Sequence, residues 1–300
     1  SLTGDVGIAS AFLCYAGPFN HVYREKLGDI WNAGLEEKAI PSSYPDFEVR
    51  QFLVPDTAVD VWTNLEGLPA DKLSIESAAI VVKGTRYPFL IDPQGQGKRW
   101  LCTREEANGL IVTSQSGKHF EQLLEDALQD GRPLLIEDMG TWVDPILDPI
   151  LGKIIIKSGT GFVTPLGDKT VSFHKDFKLF VTTKLPNPHY RPEYFAQASI
   201  IDFSVTLAGL ESQLLNRVVR REKSQLEGKR QHLMQEMTEN KQLVEKLEIE
   251  LLRLLSSKAN LLEDSSLLEV LNHTKSTSES IANKIKQSVD TQQNIETACD

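Results

Sequence analysis

Tyr87-Pro88-Phe89-Leu90-Ile91-Asp92-Pro93-Gln94-Gly95-Gln96-Gly97-Lys98-Arg99 runs as an apolar strand, a glycine-rich turn and a basic end. A phosphate-binding loop has the pattern G-x-x-x-x-G-K-[ST] between a strand and a helix, so this stretch points to an α/β fold. Gly97 and Lys98 fit, and Gly95 adds a second permissive position. Asp92 stands where the first glycine belongs, and Arg99 where the hydroxyl belongs. Each departure has a chemical meaning. The glycines of such a loop let backbone N–H groups converge on an anion. Asp92 instead places a negative charge where the anion sits, and Pro93 removes one N–H donor. The hydroxyl normally holds Mg²⁺ beside a nucleotide, and a guanidinium has no lone pair to offer a metal. Lys98 can still meet a phosphate as a point charge. The candidate cofactor-binding residues are Gly95, Gly97, Lys98 and Arg99 in a degenerate loop. The alternative is a turn that merely joins strand to helix.

Working outward, further short apolar runs occur at residues 110–113, 134–136 and 179–182. Such runs suit strands buried on both faces. Stretches with helical character at 119–129 and 145–153 separate them, as in a mostly parallel sheet flanked by helices. Residues 162–165 and 170–174, split by Leu166-Gly167-Asp168-Lys169, read as an inserted β-hairpin. Before the loop, residues 7–23 look helical through Ile8, Phe12, Tyr15 and Phe19. Residues 41–56 read as a connection. Val59, Val61, Trp62 and Leu65 suggest a short helix, and Ser74 a helix N-cap.

The strand at 134–136 ends in Glu137-Asp138, 40 residues after Gly97. A P-loop ATPase carries two acids there, one for Mg²⁺ through water and, in AAA+ proteins, one to polarise the attacking water. The order here is Glu then Asp, which shortens the second acid and lengthens the first; catalysis depends on hydrogen-bond reach. The strand at 179–182 ends in Thr182-Thr183-Lys184; Thr182 or Thr183 is a sensor-like candidate, with Thr183 the choice, against threonines that merely close a strand. No catalytic residue and no metal site is expected, since the six histidines lack ligand spacing. No arginine stands out as a finger for a neighbouring site, although Arg191 could serve.

Composition bounds the rest. The 300 residues suffice for one large α/β domain with an appendage, or for two domains. A net charge of −10 argues against nucleic-acid binding. No apolar run of about 18 residues exists, so no membrane span is expected. Cys14, Cys102 and Cys299 are scattered, which fits a reducing compartment. The chain starts without Met or a signal-peptide pattern, as a piece of a longer chain would.

The last proline is Pro192 and the last glycine Gly228. From Leu226 the apolar residues follow a 4-3 rhythm through Leu233, Met237, Val244, Leu247, Leu251 and Leu254, with Arg230 and Asn240 at the intervening seam positions. A connector at 256–260 precedes a more polar rhythm through Leu267, Leu271, Thr274, Ser278, Ile281, Ile285, Ser288 and Ile295. Two such runs predict an antiparallel coiled-coil hairpin, against an ordinary amphipathic helix pair. Arg217, Arg220, Arg221, Lys223, Lys229 and Arg230 are interrupted by Glu222 and Glu227 and read as a solvated face.

Several strings resemble one family. They are Leu2-Thr3-Gly4-Asp5-Val6, Gly67-Leu68-Pro69-Ala70-Asp71, Ile91-Asp92-Pro93-Gln94-Gly95-Gln96, Asp144-Pro145-Ile146-Leu147-Asp148-Pro149, the run from Thr182 to Tyr190, and Gly209-Leu210-Glu211-Ser212-Gln213-Leu214-Leu215. They are similar to the dynein heavy chain around its fifth AAA+ module, and the run from Lys184 to Tyr190 to its axonemal members. The resemblance implies a helical segment at 1–40 following the stalk, a degenerate AAA+ large α/β subdomain at 41–205, and a buttress or strut hairpin at 206–300 that ends before the small subdomain. It implies a catalytically silent module that relays ring movement to the microtubule-binding stalk. It also implies no cofactor here, ATP and Mg²⁺ in other modules, and an axonemal, cytoskeletal location. Its partners would be neighbouring modules, the stalk, microtubules through the parent motor and other dynein subunits. The rival function is a slow or regulatory nucleotide-binding ATPase module using Lys98 with Glu137 or Asp138.

Overall fold

A computed structural model describes residues 2–43, 47–159, 161–222 and 224–257, together with 275, 276 and 281. Two compact units divide it. The first comprises residues 1–55 and 66–210, and the second residues 56–65 and 211–300.

The first unit opens with helices α1 (Leu2–Tyr15), α2 (His21–Glu37) and α3 (Val49–Leu53). The helix expected over 7–23 is two helices. Asn20 accepts a hydrogen bond from the Tyr23 N–H and caps α2, while α1 ends at Tyr15. In the second unit lies α4 (Asp56–Asn64). The first unit resumes with α5 (Lys72–Lys83), capped by Asp71 rather than Ser74: the Asp71 carboxylate accepts from the Ser74 N–H. Strand β1 (Tyr87–Ile91) follows, then α6 (Gln96–Glu105), β2 (Ile111–Ser114), α7 (Phe120–Asp130) and β3 (Leu134–Glu137). A 3₁₀ turn at Pro145–Leu147 leads into α8 (Asp148–Leu151), shorter than the helix expected over 145–153.

Strands β4 (Ile156–Ser158), β5 (Gly161–Leu166) and β6 (Lys169–Phe173) form a separate antiparallel sheet, whose β5–β6 pair is the expected hairpin. Then come β7 (Leu179–Thr183), α9 (Pro192–Gln197) and β8 (Ala198–Asp202). Helix α10 (Leu207–Glu222) spans the boundary between the units, and α11 (Ser224–Ser257) belongs to the second.

The main sheet has the order β2-β3-β7-β1-β8, and all its pairings are parallel. β7 is buried at every position, as a strand covered on both faces must be. The core gathers Phe89, Leu134, Ile136, Leu179 and Val181 from the strands with Leu124 and Leu128 of α7. β8 was not anticipated. It pairs with β1 along its whole length, and the Asp202 N–H donates to the Gly17 carbonyl at 2.9 Å.

A buried hub ties the N-terminal helices to this sheet. Arg24 is 3% exposed. Its guanidinium donates to the carbonyls of Ala16, Gly17 and Phe19, to Glu76 at 3.2 Å and to the Ser77 hydroxyl at 2.9 Å. Ser77 in turn donates to the Asp202 carbonyl at 2.7 Å. Burial pushes the Glu76 carboxyl up, against the pull of Arg24.

In the second unit, α11 is one continuous helix, and Leu233, Met237, Asn240, Val244 and Leu247 of the 4-3 rhythm are half-buried along it. Among the described residues it packs chiefly against α4. The second arm of the expected hairpin lies outside the described residues, apart from Lys275, Ser276 and a buried Ile281.

Candidate functional site

The turn after β1 opens α6 through Gly95, which holds a left-handed φ of 71° that suits glycine. A helix start leaves its first N–H groups without intrahelical acceptors, and such groups attract anions. Here they have one already. The Gln96 N–H donates to Asp92 Oδ1 at 2.9 Å, and the Lys98 N–H donates to Asp92 Oδ2 at 2.8 Å. Asp92 is 2% exposed. Burial pushes its carboxyl up, while the N–H groups of Lys98, Gly97, Gln96 and Gly95 act in the opposite direction. The turn therefore carries its own anion, one that cannot leave. A phosphate at this turn would have to share or displace those donors.

Gly97 sits where a Cβ would lie 2.9 Å from a Leu90 methyl and 3.0 Å from the Phe203 ring. Its lack of a side chain lets α6 approach β1 and the segment after β8. The buried Gln96 amide donates to the Phe203 carbonyl at 2.7 Å. Trp100, fully buried, stacks on Phe203 and donates through its indole N–H to Glu66 at 2.7 Å.

Lys98 extends from α6 to Glu137 at the end of β3 and pairs with that carboxylate, which raises the lysine above its ordinary value. Asp138 has a left-handed φ of 54°. Its two oxygens lie 2.8 and 3.0 Å from the Lys184 ammonium. Both acids of the strand end thus face lysines.

Thr183 is 1% exposed. Its hydroxyl donates to the Met139 carbonyl at 2.7 Å and accepts from the Leu185 N–H at 3.2 Å. It bridges the ends of β7 and β3 instead of pointing outward. Tyr190 supports the same corner, donating to the Gly140 carbonyl at 2.9 Å. Arg99 is exposed, and its Nε donates to the Gly95 carbonyl at 3.2 Å. Arg191 is exposed and precedes α9.

The fold therefore brings Gly95, Gly97 and Lys98 together around Asp92 and sets Glu137 against the Lys98 ammonium, while the Thr183 carbonyl accepts from the Asp92 N–H and Asp138 follows Glu137 in the chain. Lys184 was missed as a site residue. Its signal was its place immediately after Thr183, the last residue of the strand that pairs with β3. Among the described residues, no cluster of three His, Cys, Asp or Glu side chains could hold a metal ion, and no helix is long and apolar enough to cross a membrane. With Asp92 in the cradle and no hydroxyl at Arg99, the residues present do not fit a Mg²⁺–nucleotide complex.

Comparison with known proteins agrees with this architecture. Residues 60–281 match the family described as the ATP-binding dynein motor region. The chain is 47% identical to dynein axonemal heavy chain 5 of Mus musculus over 298 residues, covering 99% of this chain and 6% of that protein. It is 44% identical to the dynein gamma chain, flagellar outer arm, of Chlamydomonas reinhardtii over 301 residues, covering 100% of this chain and 7% of that one. Dynein axonemal heavy chain 8 of Homo sapiens is 45% identical over 299 residues, covering 99% of this chain and 7% of its own length. The chain thus spans a small fraction of the length of the relatives it matches. On the matched motor region and these identities, the chain belongs to the dynein heavy-chain family.

Proposed function

We propose that this chain is a catalytically silent AAA+ module of an axonemal dynein motor, the fifth of its ring. It relays ATP-driven ring movements to the microtubule-binding stalk through a strut built on α11. One observation carries the reading: the phosphate cradle is filled by the Asp92 carboxylate, held at 2.9 and 2.8 Å by the helix N–H groups. The Lys98–Glu137 pair supports it, because the lysine that would meet a phosphate is engaged across the crevice. ATP and Mg²⁺ act in other modules of the parent motor. The partners in this reading are those neighbouring modules, the stalk, other dynein subunits and, through the whole motor, microtubules. The axonemal and flagellar names of the relatives support a location of the motor in cilia or flagella.

The test is Lys98→Ala in the parent motor. ATPase activity should stay near wild type. A tenfold fall, about 1.4 kcal/mol of barrier, would reject the silent module in favour of an ATPase module using Lys98.

A further inference from the structure

The second unit contains a ladder that no heptad reading supplies. Three side chains of α4 meet three of α11. The Thr57 hydroxyl donates to Glu245 at 2.5 Å, the Lys241 ammonium to Asp60 at 2.6 Å, and the Asn64 amide to the Thr238 hydroxyl at 3.1 Å. The order is antiparallel: 57, 60 and 64 ascend as 245, 241 and 238 descend. Both triplets span seven residues, two helical turns, so all three rungs lie along one line of contact. Thr238 is 2% exposed, and its hydroxyl also donates to the Met234 carbonyl at 2.8 Å. The ladder runs one position beyond the half-buried seam of Met237, Asn240 and Val244, which is apolar except at Asn240. The long helix therefore carries two adjacent stripes, one apolar and one polar, and α4 reads the polar one.

An apolar contact tolerates a shift along the helix, because one methyl replaces another. A polar ladder does not. Move α11 by one turn in one direction and Glu245 comes opposite Asp60, two like charges. Move it by one turn in the other and Glu245 runs past Thr57 while Asp60 loses Lys241. Only the observed register pairs every rung. We propose that α4 is a keyed seat that fixes the register of the long helix, with Asp60 and Lys241 as the determining pair. The seat is also weak, because partly exposed polar contacts exchange with water at little net cost. It selects a position without making the contact permanent. The mechanical consequence rests on the relay reading above: a strut transmits displacement only when its base is held in one register.

The test uses the full motor carrying Asn64→Cys and Thr238→Cys, the rung with the shortest side chains. Oxidation should form the disulfide. Adding Lys241→Glu, which sets two acids opposite each other, should lower its yield by about fivefold at low salt. Adding Asp60→Lys to that variant should restore the yield, because the pair is then complete with its signs exchanged. Equal yields in all three motors, or no recovery in the exchanged pair, would overturn the keyed seat. Recovery in the exchanged pair also shows that the Lys241→Glu loss is not misfolding. ATP-dependent microtubule release, measured in the same motors, addresses the relay separately. Release should fail in Lys241→Glu and return in the exchanged pair. Disulfide yields that follow the key while release never changes would leave the seat standing and reject the relay.

Discussion

The backbone N–H of Lys98 points at the carboxylate of Asp92, 2.8 Å away, while the Lys98 side chain reaches to Glu137. One residue thus closes the turn with its main chain and spans the crevice with its ammonium. Replacing Asp92 by Asn keeps the shape and leaves one acceptor oxygen where two N–H groups need accepting. Asp92→Asn should cost about 1–3 kcal/mol, the usual penalty for a buried donor left unmet. Urea unfolding of the two chains checks it; no loss would mean the carboxylate is not needed by the turn.

The same pair of chains gives a pH dependence. Burial holds the Asp92 carboxyl above its ordinary value. Between the unfolded and the folded pKa, the folded chain then binds more protons, so stability falls as pH rises through that window. This contribution is fully present below about 3.9, the unfolded value, and is lost above the folded one. The advantage of wild type over Asp92→Asn should therefore be larger near pH 4 than at pH 7. An advantage that grows toward neutrality would show that the four N–H groups outweigh burial.

Gly97→Ala separates packing from phosphate chemistry. The added methyl meets Leu90 and Phe203 at about van der Waals overlap. Overpacking of this kind costs about 1–3 kcal/mol, reduced by up to about 1 kcal/mol from the better helix propensity of Ala. Thermal unfolding should register a net loss, with ATPase activity of the parent motor unchanged.

Arg24 is satisfied by three carbonyls, a carboxylate and a hydroxyl. Arg24→Met strands all of them and should destabilise the first unit by about 3–5 kcal/mol. Glu76→Gln keeps an acceptor oxygen for Arg24 and should cost clearly less. Equal losses in denaturant titrations would mean that the ion pair, not the carbonyl cluster, is what the hub provides.

Thr183→Val removes a hydroxyl that joins two strand ends. The Met139 carbonyl and the Leu185 N–H both lose a partner, at about 1–3 kcal/mol for the buried group. Unfolding measurements should show this loss while nucleotide binding by the parent motor stays the same. A drop in nucleotide binding with unchanged stability would restore the sensor reading.

The parallel strands were legible because each is a short apolar run, and β1, β3 and β7 lie within a residue of where the runs place them. β8 was not, since Ala198-Ser199-Ile200-Ile201-Asp202 has two apolar-run breakers in five residues and is a strand only because β1 offers it a ladder. Asn20 and Asp71 decided helix starts that apolar spacing alone put elsewhere. At the site, the charge of Asp92 was visible. Its closure onto Gln96 and Lys98 was not, because that depends on the left-handed turn at Gly95. The α4–α11 ladder joins positions 174 to 188 residues apart, a separation at which local periodicity carries no information.

The internal anion also bears on redesign. Replacing Asp92 by glycine alone would empty the cradle and leave its N–H groups unmet, while Arg99 still lacks the hydroxyl that a Mg²⁺–nucleotide complex requires. Placing Ser or Thr at position 99 alone would add a ligand to a site that Asp92 still blocks. Neither change alone makes the turn fit a Mg²⁺–nucleotide complex, so any redesign toward nucleotide binding has to alter both positions together.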